Sequence, residues 1–394
     1  MHPDSSNLMH TNTSTSSGPF ELSAMNSSQP VCFQPGAIWL DDAGAPINAH
    51  GGGFLHHEGV IYWYGEHKIA GEAGNAAHVG VRVYSSRDLC VWRNEGVALP
   101  VFSDPAHELA AGCIIERPKV IYNATTHRFV MWFHLESAGA GYEGARSAVA
   151  IADFPVGPFR YLGSLRPNTG VWPDNVPTSQ RRPLSADETS QLASMDLPGG
   201  PLPYYPKYLL FRRDFAGGQM ARDMTLFVDE DGTAYHIYSS EANGTLHISQ
   251  LSADYLRPVG RYVRIFPGGF NEAPALFKHD GRYFLITSGC SDWAPNQARV
   301  SVSSSIWGPW EELGNPCRGD GTQTSTTFNS QSTYVLPVPG RADAFIFIAD
   351  RWCPKNAMDG RYVWLPIRFL HNVPLIDWQN TWDMRVFDSP DFRS

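Results

Sequence analysis

Short apolar runs that alternate with polar residues recur along the chain, and segments with helical periodicity are scarce. The runs are rich in Val, Ile, Tyr, Phe and Trp, and they are separated by Gly, Pro, Asn and Asp, which favour turns. Residues 270–297 illustrate the pattern: a polar residue, a strand, an Asp-Gly turn, a second strand and a polar loop. The Asp-Gly pair predicts a tight hairpin because both turn positions favour positive φ. We therefore expect an all-β fold in which Glu272 and Ser291 lie on the same side of a sheet.

The same order of elements occurs five times along the sequence. Each unit begins with a polar residue, continues with a hairpin and a third strand, and closes with an outer element that contains Pro or Trp. Repeats of about 50 residues with four strands each are typical of β-propeller blades. The sequence thus predicts a five-bladed β-propeller with four antiparallel strands per blade, whose units begin near residues 50, 116, 222, 272 and 330.

Two segments depart from this repeat. Residues 164–215 form a Pro-, Ser- and Gly-rich insertion, for which we expect a surface loop with one short helix near residues 186–193. Whether this insertion walls a pocket or only packs on the surface is open. Residues 1–30 are rich in Ser, Thr and Asn and lack the apolar stretch of a signal peptide. We expect a disordered or loosely attached segment there, followed by a propeller over residues 31–394.

Composition narrows the classes of function. With 42% apolar and 18% charged residues the chain is globular, and its net charge of −9 argues against nucleic acid as a partner. No run approaches the roughly 18 apolar residues of a membrane span. The aromatic content of 12% suits sugar binding and an ordinary β-protein equally well. The six cysteines show no metal-ligand spacing, so we predict no metal site and no cofactor, and their pairing is open.

Polar side chains stand at the predicted start of each inner strand, where the blades of a propeller face the central channel. These residues are His50, Glu116 with Arg117, Asp223 with Arg222, Glu272 and Gln331. Carboxylates held close together raise one another's pKa, which costs stability and is typical of functional sites. Each residue alone is better explained as a strand cap or a partner of Arg117 or Arg222. The whole set predicts an active site on the axis.

Six motifs carry a resemblance to a known family: AHGGG, YWYGE, ERPKVIYN, RDMTLFVDEDGTAYHIYSSE, NEAPALFKHDGRYFLITSGCSDWAPN and NSQSTYVLP. Over about residues 34–384 the chain resembles the exo-β-1,3-galactanase branch of glycoside hydrolase family 43. The resemblance implies a five-bladed propeller and inverting release of galactose from the non-reducing end of the β-1,3-galactan backbone of arabinogalactan. It also suggests a secreted or periplasmic enzyme, although no signal peptide is visible.

The resemblance further implies roles for individual residues. Glu272 matches the catalytic acid, Asp223 the carboxylate that orients this acid and tunes its pKa, and Gln331 the residue at the base position. The family's usual base is an Asp in the first blade, where this chain has Ala49 and His50. Positions that match substrate contacts are Glu66, Glu116, Tyr142, Asn243 and Ser291. Two further candidates for substrate contact follow from their expected places near the axis: His50 and Trp352.

The identity of the base and the substrate are both open at this point. Inverting hydrolysis requires an acid on one face of the sugar and a water activator on the other, about 6.5–9.5 Å apart. A neutral amide accepts a proton poorly, so Gln331 either reacts as an imidic acid or only positions the water. Alternatively, Glu116 or Glu66 is the base. An α-L-arabinofuranosidase or β-xylosidase is a second interpretation, and the missing first-blade Asp favours a third, a non-catalytic sugar-binding propeller.

Overall fold

The computed structural model describes residues 32–195, 197, 200–202 and 204–392, which form a ring of five predominantly antiparallel sheets. The predicted all-β, five-bladed propeller is confirmed. The five innermost strands contact one another in a closed circle, so that their first residues surround a common axis. The N-terminal segment predicted to be disordered, residues 1–30, lies outside the described residues.

Each blade consists of consecutive strands, and the innermost strand comes first. Blade 1 contains β1 (His50–His57), β2 (Val60–Lys68), β3 (His78–Ser86) and β4 (Arg93–Pro100), and blade 2 contains β5 (Ile114–Asn123), β6 (Arg128–Glu136), β7 (Arg146–Ala152) and β8 (Arg160–Leu165). Blade 3 contains β9 (Met224–Val228), β10 (Ala234–Ser240), β11 (Thr245–Leu251) and β12 (Pro258–Ile265), and blade 4 contains β13 (Glu272–His279), β14 (Arg282–Ser288), β15 (Arg299–Ser303) and β16 (Glu311–Gly314). Blade 5 contains β18 (Gln331–Pro337), β19 (Phe345–Arg351), β20 (Arg361–Leu370) and β21 (Val373–Asp377). A short strand, β17 (Cys317–Arg318), pairs in parallel with β21, the outer strand of this blade.

Side-chain packing closes the ring between the first and the last blade. Phe33 pairs through its backbone with Trp382, and the two rings stack with centroids 3.9 Å apart. A disulfide joins Cys32 to Cys90, which settles one cysteine pairing that the sequence leaves open. Blades 1 and 5 do not share a sheet, and these contacts join them together with a common apolar cluster that includes Trp63 and Trp364.

Tight turns and bulges decide where the polar side chains point. Asp280 and Gly281 have φ values of 48° and 69°, so the predicted Asp-Gly hairpin is confirmed. The pairing register shifts near the start of the inner strands of blades 1, 2, 4 and 5. At two of these bulges non-glycine residues adopt positive φ, 55° at Arg117 and 52° at Ala273. A bulge bends the strand and redirects side chains, here at the axis.

The insertion between blades 2 and 3 contains the predicted helix. Helix α1 (Ala186–Ala193) begins at a capping box in which Ser185 accepts from the N–H of Glu188 and Glu188 accepts from the N–H of Ser185. A second helix follows at α2 (Leu210–Arg213), and α3 (Gly321–Thr324) precedes blade 5. Short 3-10 turns occur at Gly74–Ala76, Thr178–Gln180, Ala357–Asp359, Met384–Asp388 and Pro390–Phe392. No helix in the described part of the chain has the length and apolar character needed to cross a membrane.

Candidate active site

A pocket of about 670 Å³ opens on the axis where the inner strands begin. Its lining includes nine of the ten residues predicted for the site: Glu66, Glu116, Tyr142, Asp223, Asn243, Glu272, Ser291, Gln331 and Trp352. Glu272 and Ser291 therefore lie on the same side, as expected. These residues come from all five blades or the loops between them, so the ring itself assembles the site.

The structure corrects the placement of His50, which does not line this pocket. Its side chain is only 1% exposed, and its ring stacks on Tyr362 with centroids 5.3 Å apart. The nearest carboxylate oxygen belongs to Asp350, 3.6 Å from Nδ1. His50 is a buried packing residue of blade 1, at a point where the pairing register of its strand shifts between His50 and Gly53.

Arg117 connects the residues that the motifs predict. Its Nε and Nη2 donate to the two carboxylate oxygens of Asp223 at 3.1 and 3.0 Å, and Nη2 also donates to Oε1 of Gln331 at 2.6 Å. Asp223 in turn accepts from the backbone N–H of Ala273, next to Glu272, at 2.9 Å. One guanidinium thus joins blades 2, 3 and 5, and Asp223 extends the link to blade 4. The sequence indicated Arg117 only as a possible ion-pair partner, because it stands among several carboxylates at the starts of the inner strands.

Glu272 has the electrostatics of an acid that stays protonated near neutral pH. Burial and then the charge of Asp223 raise the pKa of Glu272 to about 8, although the charge of Arg117 acts in the opposite direction. The side chain of Asn243 donates to Oε1 of Glu272 at 2.8 Å and orients the carboxyl group. A carboxylic acid with its pKa near the working pH is suited to protonating a leaving group.

Gln331 is held by three hydrogen bonds that define the orientation of its amide. Oε1 accepts from Arg117 and from the indole N–H of Trp352 at 2.8 Å, and Nε2 donates to Oγ of Ser288 at 3.0 Å. Both acceptor sites of the oxygen are therefore engaged by donors. An imidic acid carries a proton on that oxygen, which this arrangement opposes. The geometry favours a fixed amide whose second N–H has no acceptor among the described residues and can orient a water molecule.

Glu116 is anchored as a carboxylate by a buried histidine. His134 donates from Nδ1 to Glu116 at 2.7 Å and from Nε2 to Glu136 at 2.9 Å, and the hydroxyl of Tyr142 donates to Glu116 at 2.8 Å. Burial alone would raise the pKa of Glu116, but the hydrogen bond and charge of His134 outweigh it and lower the pKa to about 2. The two carboxylates correspondingly raise the pKa of His134 to about 9, against the effect of burial.

These contacts make both alternative bases unfavourable. A carboxylate with a pKa of about 2, such as Glu116, is a weak proton acceptor. Glu66 is only 1% exposed, and its carboxylate accepts from the N–H of Arg117 at 3.0 Å and pairs with Lys68 at 2.9 Å. Glu66 therefore supports the bulge that carries Arg117, and Glu116 is better suited to binding sugar hydroxyls and positive charge.

Residues of the insertion and of the loop after β14 form the rim of the pocket. Three residues of the insertion line the pocket: Leu197, Gly200 and Pro201. The insertion therefore forms part of the pocket wall and does not only pack on the surface. The loop after β14 adds further lining residues: Cys290, Asp292 and Trp293. Ser291 donates from its hydroxyl to the carbonyl of Ala294 at 2.6 Å, and this bond shapes the loop. The loop after β14 was expected at the rim from its place after the second strand, whereas the insertion lacks periodicity and only the tertiary structure shows which of its residues reach the pocket.

Comparisons with known proteins agree with this geometry. The family model of glycosyl hydrolases family 43 matches residues 190–341. A family 43 β-1,3-galactosidase solved with galactodeoxynojirimycin is 48% identical, with a TM-score of 0.83, and the match covers 89% of this chain and 100% of that one. A variant of an exo-β-1,3-galactanase from Phanerochaete chrysosporium, solved with β-1,3-galactotriose, is 30% identical with a TM-score of 0.70, covering 89% of this chain and 68% of that one.

A curated relative shows a shorter match. A xylan 1,3-β-xylosidase from a Vibrio species is 33% identical over 104 residues, which is 24% of this chain and 19% of that enzyme. The chain thus matches about a fifth of the length of this relative. The family assignment rests on the match at 48% identity, which covers 89% of this chain and all of the other, and on the shared propeller. The chain therefore belongs to glycoside hydrolase family 43.

Proposed function

We propose that this glycoside hydrolase is an inverting, exo-acting β-1,3-galactosidase that releases galactose from the non-reducing end of β-1,3-galactan. The observation that carries the proposal is Glu272, a carboxyl group in the axial pocket whose pKa is raised to about 8. The relative with 48% identity, a β-1,3-galactosidase solved with galactodeoxynojirimycin, supports the substrate class because the match covers its full length.

In this mechanism Glu272 donates its proton to the glycosidic oxygen as the bond to the leaving sugar breaks. Positive charge develops on the galactosyl ring, and the carboxylate of Glu116 stabilises it. A water molecule attacks from the opposite face, oriented by the free N–H of Gln331. The proton that this water loses passes to solvent after attack, so orientation rather than a strong base supplies the rate.

A side-chain network across the pocket favours action at a chain end. The ion pair between Arg117 and Asp223 joins the inner strands of blades 2 and 3, and Gln331 extends it to blade 5. All three side chains line the pocket, so the network links blades 2, 3 and 5 across it. A polysaccharide therefore enters from the rim with its terminal residue and does not thread through the ring.

A second candidate is a β-xylosidase or α-L-arabinofuranosidase specificity. The match to the Vibrio xylan 1,3-β-xylosidase favours it, but that match covers only 24% of this chain. A non-catalytic sugar-binding protein is a weaker interpretation, because a binding site gains nothing from a carboxyl group with a raised pKa.

The test is product analysis by proton NMR with β-1,3-galactobiose and galactotriose, beside a panel of nitrophenyl arabinosides and xylosides. We expect galactose as the product, with the α-anomer appearing first because the configuration inverts. Glu272→Gln should lower the rate on galactobiose by about 10²–10⁴. The matched control is Glu230→Gln, an exposed carboxylate at the tip of a blade 3 hairpin. Release of xylose or arabinose instead of galactose, or near-normal turnover by Glu272→Gln, would refute the proposal.

A further inference from the structure

One side chain of the insertion, Tyr205, contacts two loops of the active site. Its hydroxyl donates to Glu241 at 2.7 Å and lies 2.6 Å from the hydroxyl of Thr245. Its ring packs edge-on against Phe270, with centroids 5.6 Å apart. The ring occupies space that glycine leaves open, because a Cβ at Gly244 would lie 2.1 Å from it. Tyr205 is thus seated in a site that admits the ring only because glycine stands there.

The first of these loops is the turn Glu241, Ala242 and Asn243, in which all three residues have left-handed φ values of 55°, 54° and 62°. Non-glycine residues in this region persist only where the surroundings hold them. The carboxylate of Glu241 is fully buried and accepts from Arg264 at 2.6 and 2.7 Å as well as from Tyr205. Ala242 packs into an apolar cluster with three leucines of the insertion, Leu192, Leu209 and Leu210.

The contacts of the turn lead directly to the acid. Asn243, its last residue, donates to Glu272 at 2.8 Å. Oδ1 of Asn243 is buried and has no hydrogen-bond partner within the described residues, so the amide is held by the turn rather than by its own oxygen. The second loop contains Phe270, which lies two residues before Glu272. The insertion therefore packs against both the donor that orients the acid and the backbone that carries it.

We propose that Tyr205 is a positioning residue for leaving-group protonation, which it serves by holding the 241–243 turn and the loop before Glu272 in a fixed relation. The inference rests on the proposed function, since it assumes that Glu272 is the acid. Its physical reason is that proton transfer requires the donor within hydrogen-bond reach of the glycosidic oxygen, and a displacement of 1 Å is costly.

The test compares two substrates that differ in their need for an acid. β-1,3-Galactobiose has a poor leaving group that must be protonated, whereas 2,4-dinitrophenyl β-D-galactoside releases a phenolate that is stable without a proton. Tyr205→Phe removes only the hydroxyl and keeps the ring in the space beside Gly244. We expect its kcat on galactobiose to fall about tenfold, a fraction of the 10²–10⁴ that acid catalysis contributes, with KM unchanged and the dinitrophenyl rate within about twofold.

Three further variants complete the experiment. Tyr204→Phe is the matched control, because the neighbouring Tyr204 is 63% exposed, and we expect wild-type rates on both substrates. Glu241→Gln weakens the same anchor from the other side and should show the same substrate selectivity as Tyr205→Phe. Glu272→Gln provides the reference for complete loss of the acid. The ratio of the two rates does not depend on the fraction of folded enzyme, so partial unfolding of a variant does not obscure it.

The outcomes distinguish failure of the role proposed for Tyr205 from failure of the assignment of Glu272 as the acid. Equal losses on both substrates in Tyr205→Phe, or no loss on either, would overturn the role of Tyr205 if Glu272→Gln remains selective for the poor leaving group. An unselective Glu272→Gln, or a wild-type enzyme that does not cleave galactobiose, would overturn the acid assignment and this inference with it.

Discussion

Replacing Asp223 with Asn is expected to move the pH dependence of hydrolysis to lower pH. The change removes the negative charge that, after burial, contributes most to the raised pKa of Glu272. It also leaves the charge of Arg117 without its carboxylate partner, which lowers the pKa of Glu272 further. The amide oxygen of Asn still accepts from the N–H of Ala273, so the backbone beside Glu272 keeps its hydrogen bond.

The size of the effect follows from the protonated fraction of Glu272. With a pKa of about 8, roughly 90% of the enzyme carries the proton at pH 7. A nearby charge changes a pKa by about one to three, so a value of about 6.5 is expected in the variant, and only about a quarter is then protonated at pH 7. Activity requires the protonated form, so it is complete below this pKa and lost as pH rises through it. We expect kcat/KM at pH 7 to fall about fourfold and to recover near pH 5.5.

The assay is kcat/KM on galactobiose from about pH 4.5 to pH 10, because this parameter reports the ionisation of the free enzyme. Asp231→Asn, which removes an exposed charge from a turn of the same blade, is the control and should leave the profile unchanged. A basic limb that stays at the wild-type pH in Asp223→Asn, or moves to higher pH, would refute the view that Asp223 sets the pKa of Glu272.

Three further predictions concern stability and the water activator. Glu272→Gln should raise the free energy of unfolding at pH 7 by about 1–3 kcal/mol, because ionisation with an ordinary pKa in the unfolded chain favours unfolding between about pH 4.5 and 8. Urea titrations should show no gain at pH 4, and an equal gain at both pH values would contradict the reasoning. Gln331→Ala should lower kcat by about ten- to hundredfold, as expected for a group that orients water. A loss as large as that of Glu272→Gln would instead indicate a proton acceptor. Cys90→Ser should lower the free energy of unfolding by about 2–4 kcal/mol through loss of the bond to Cys32, and unchanged urea unfolding would show that this bond does not form in solution.

The fold was predictable because its signals are local. The Asp280–Gly281 turn requires positive φ at both positions, and the structure has it. Helix α1 was likewise predictable from residues within a few positions of one another, since its capping box is formed by Ser185 and Glu188. Because these short-range patterns recur in five units with the repeat length of propeller blades, few other folds were compatible with the chain.

The contacts that define the site are long-range, and no local pattern contains them. Arg117 reaches Asp223 and Gln331 across 106 and 214 positions of the sequence. The low pKa of Glu116, which argues against it as the base, depends on His134 in the neighbouring strand. His50 stands at the start of an inner strand like the others, yet its side chain is buried against Tyr362 and does not line the pocket.

The sequence by itself determined the propeller and the residue types at the start of each inner strand, because these follow from turn chemistry and repeat spacing. The role proposed for Glu272 as the acid came from its resemblance to a family motif. Only the tertiary structure decided which of these residues meet, which carboxyl group keeps its proton and how the insertion contributes. The physical reason is that pKa values and amide orientations depend on burial and on charges within a few ångströms. Ring closure brings those charges together from distant parts of the chain.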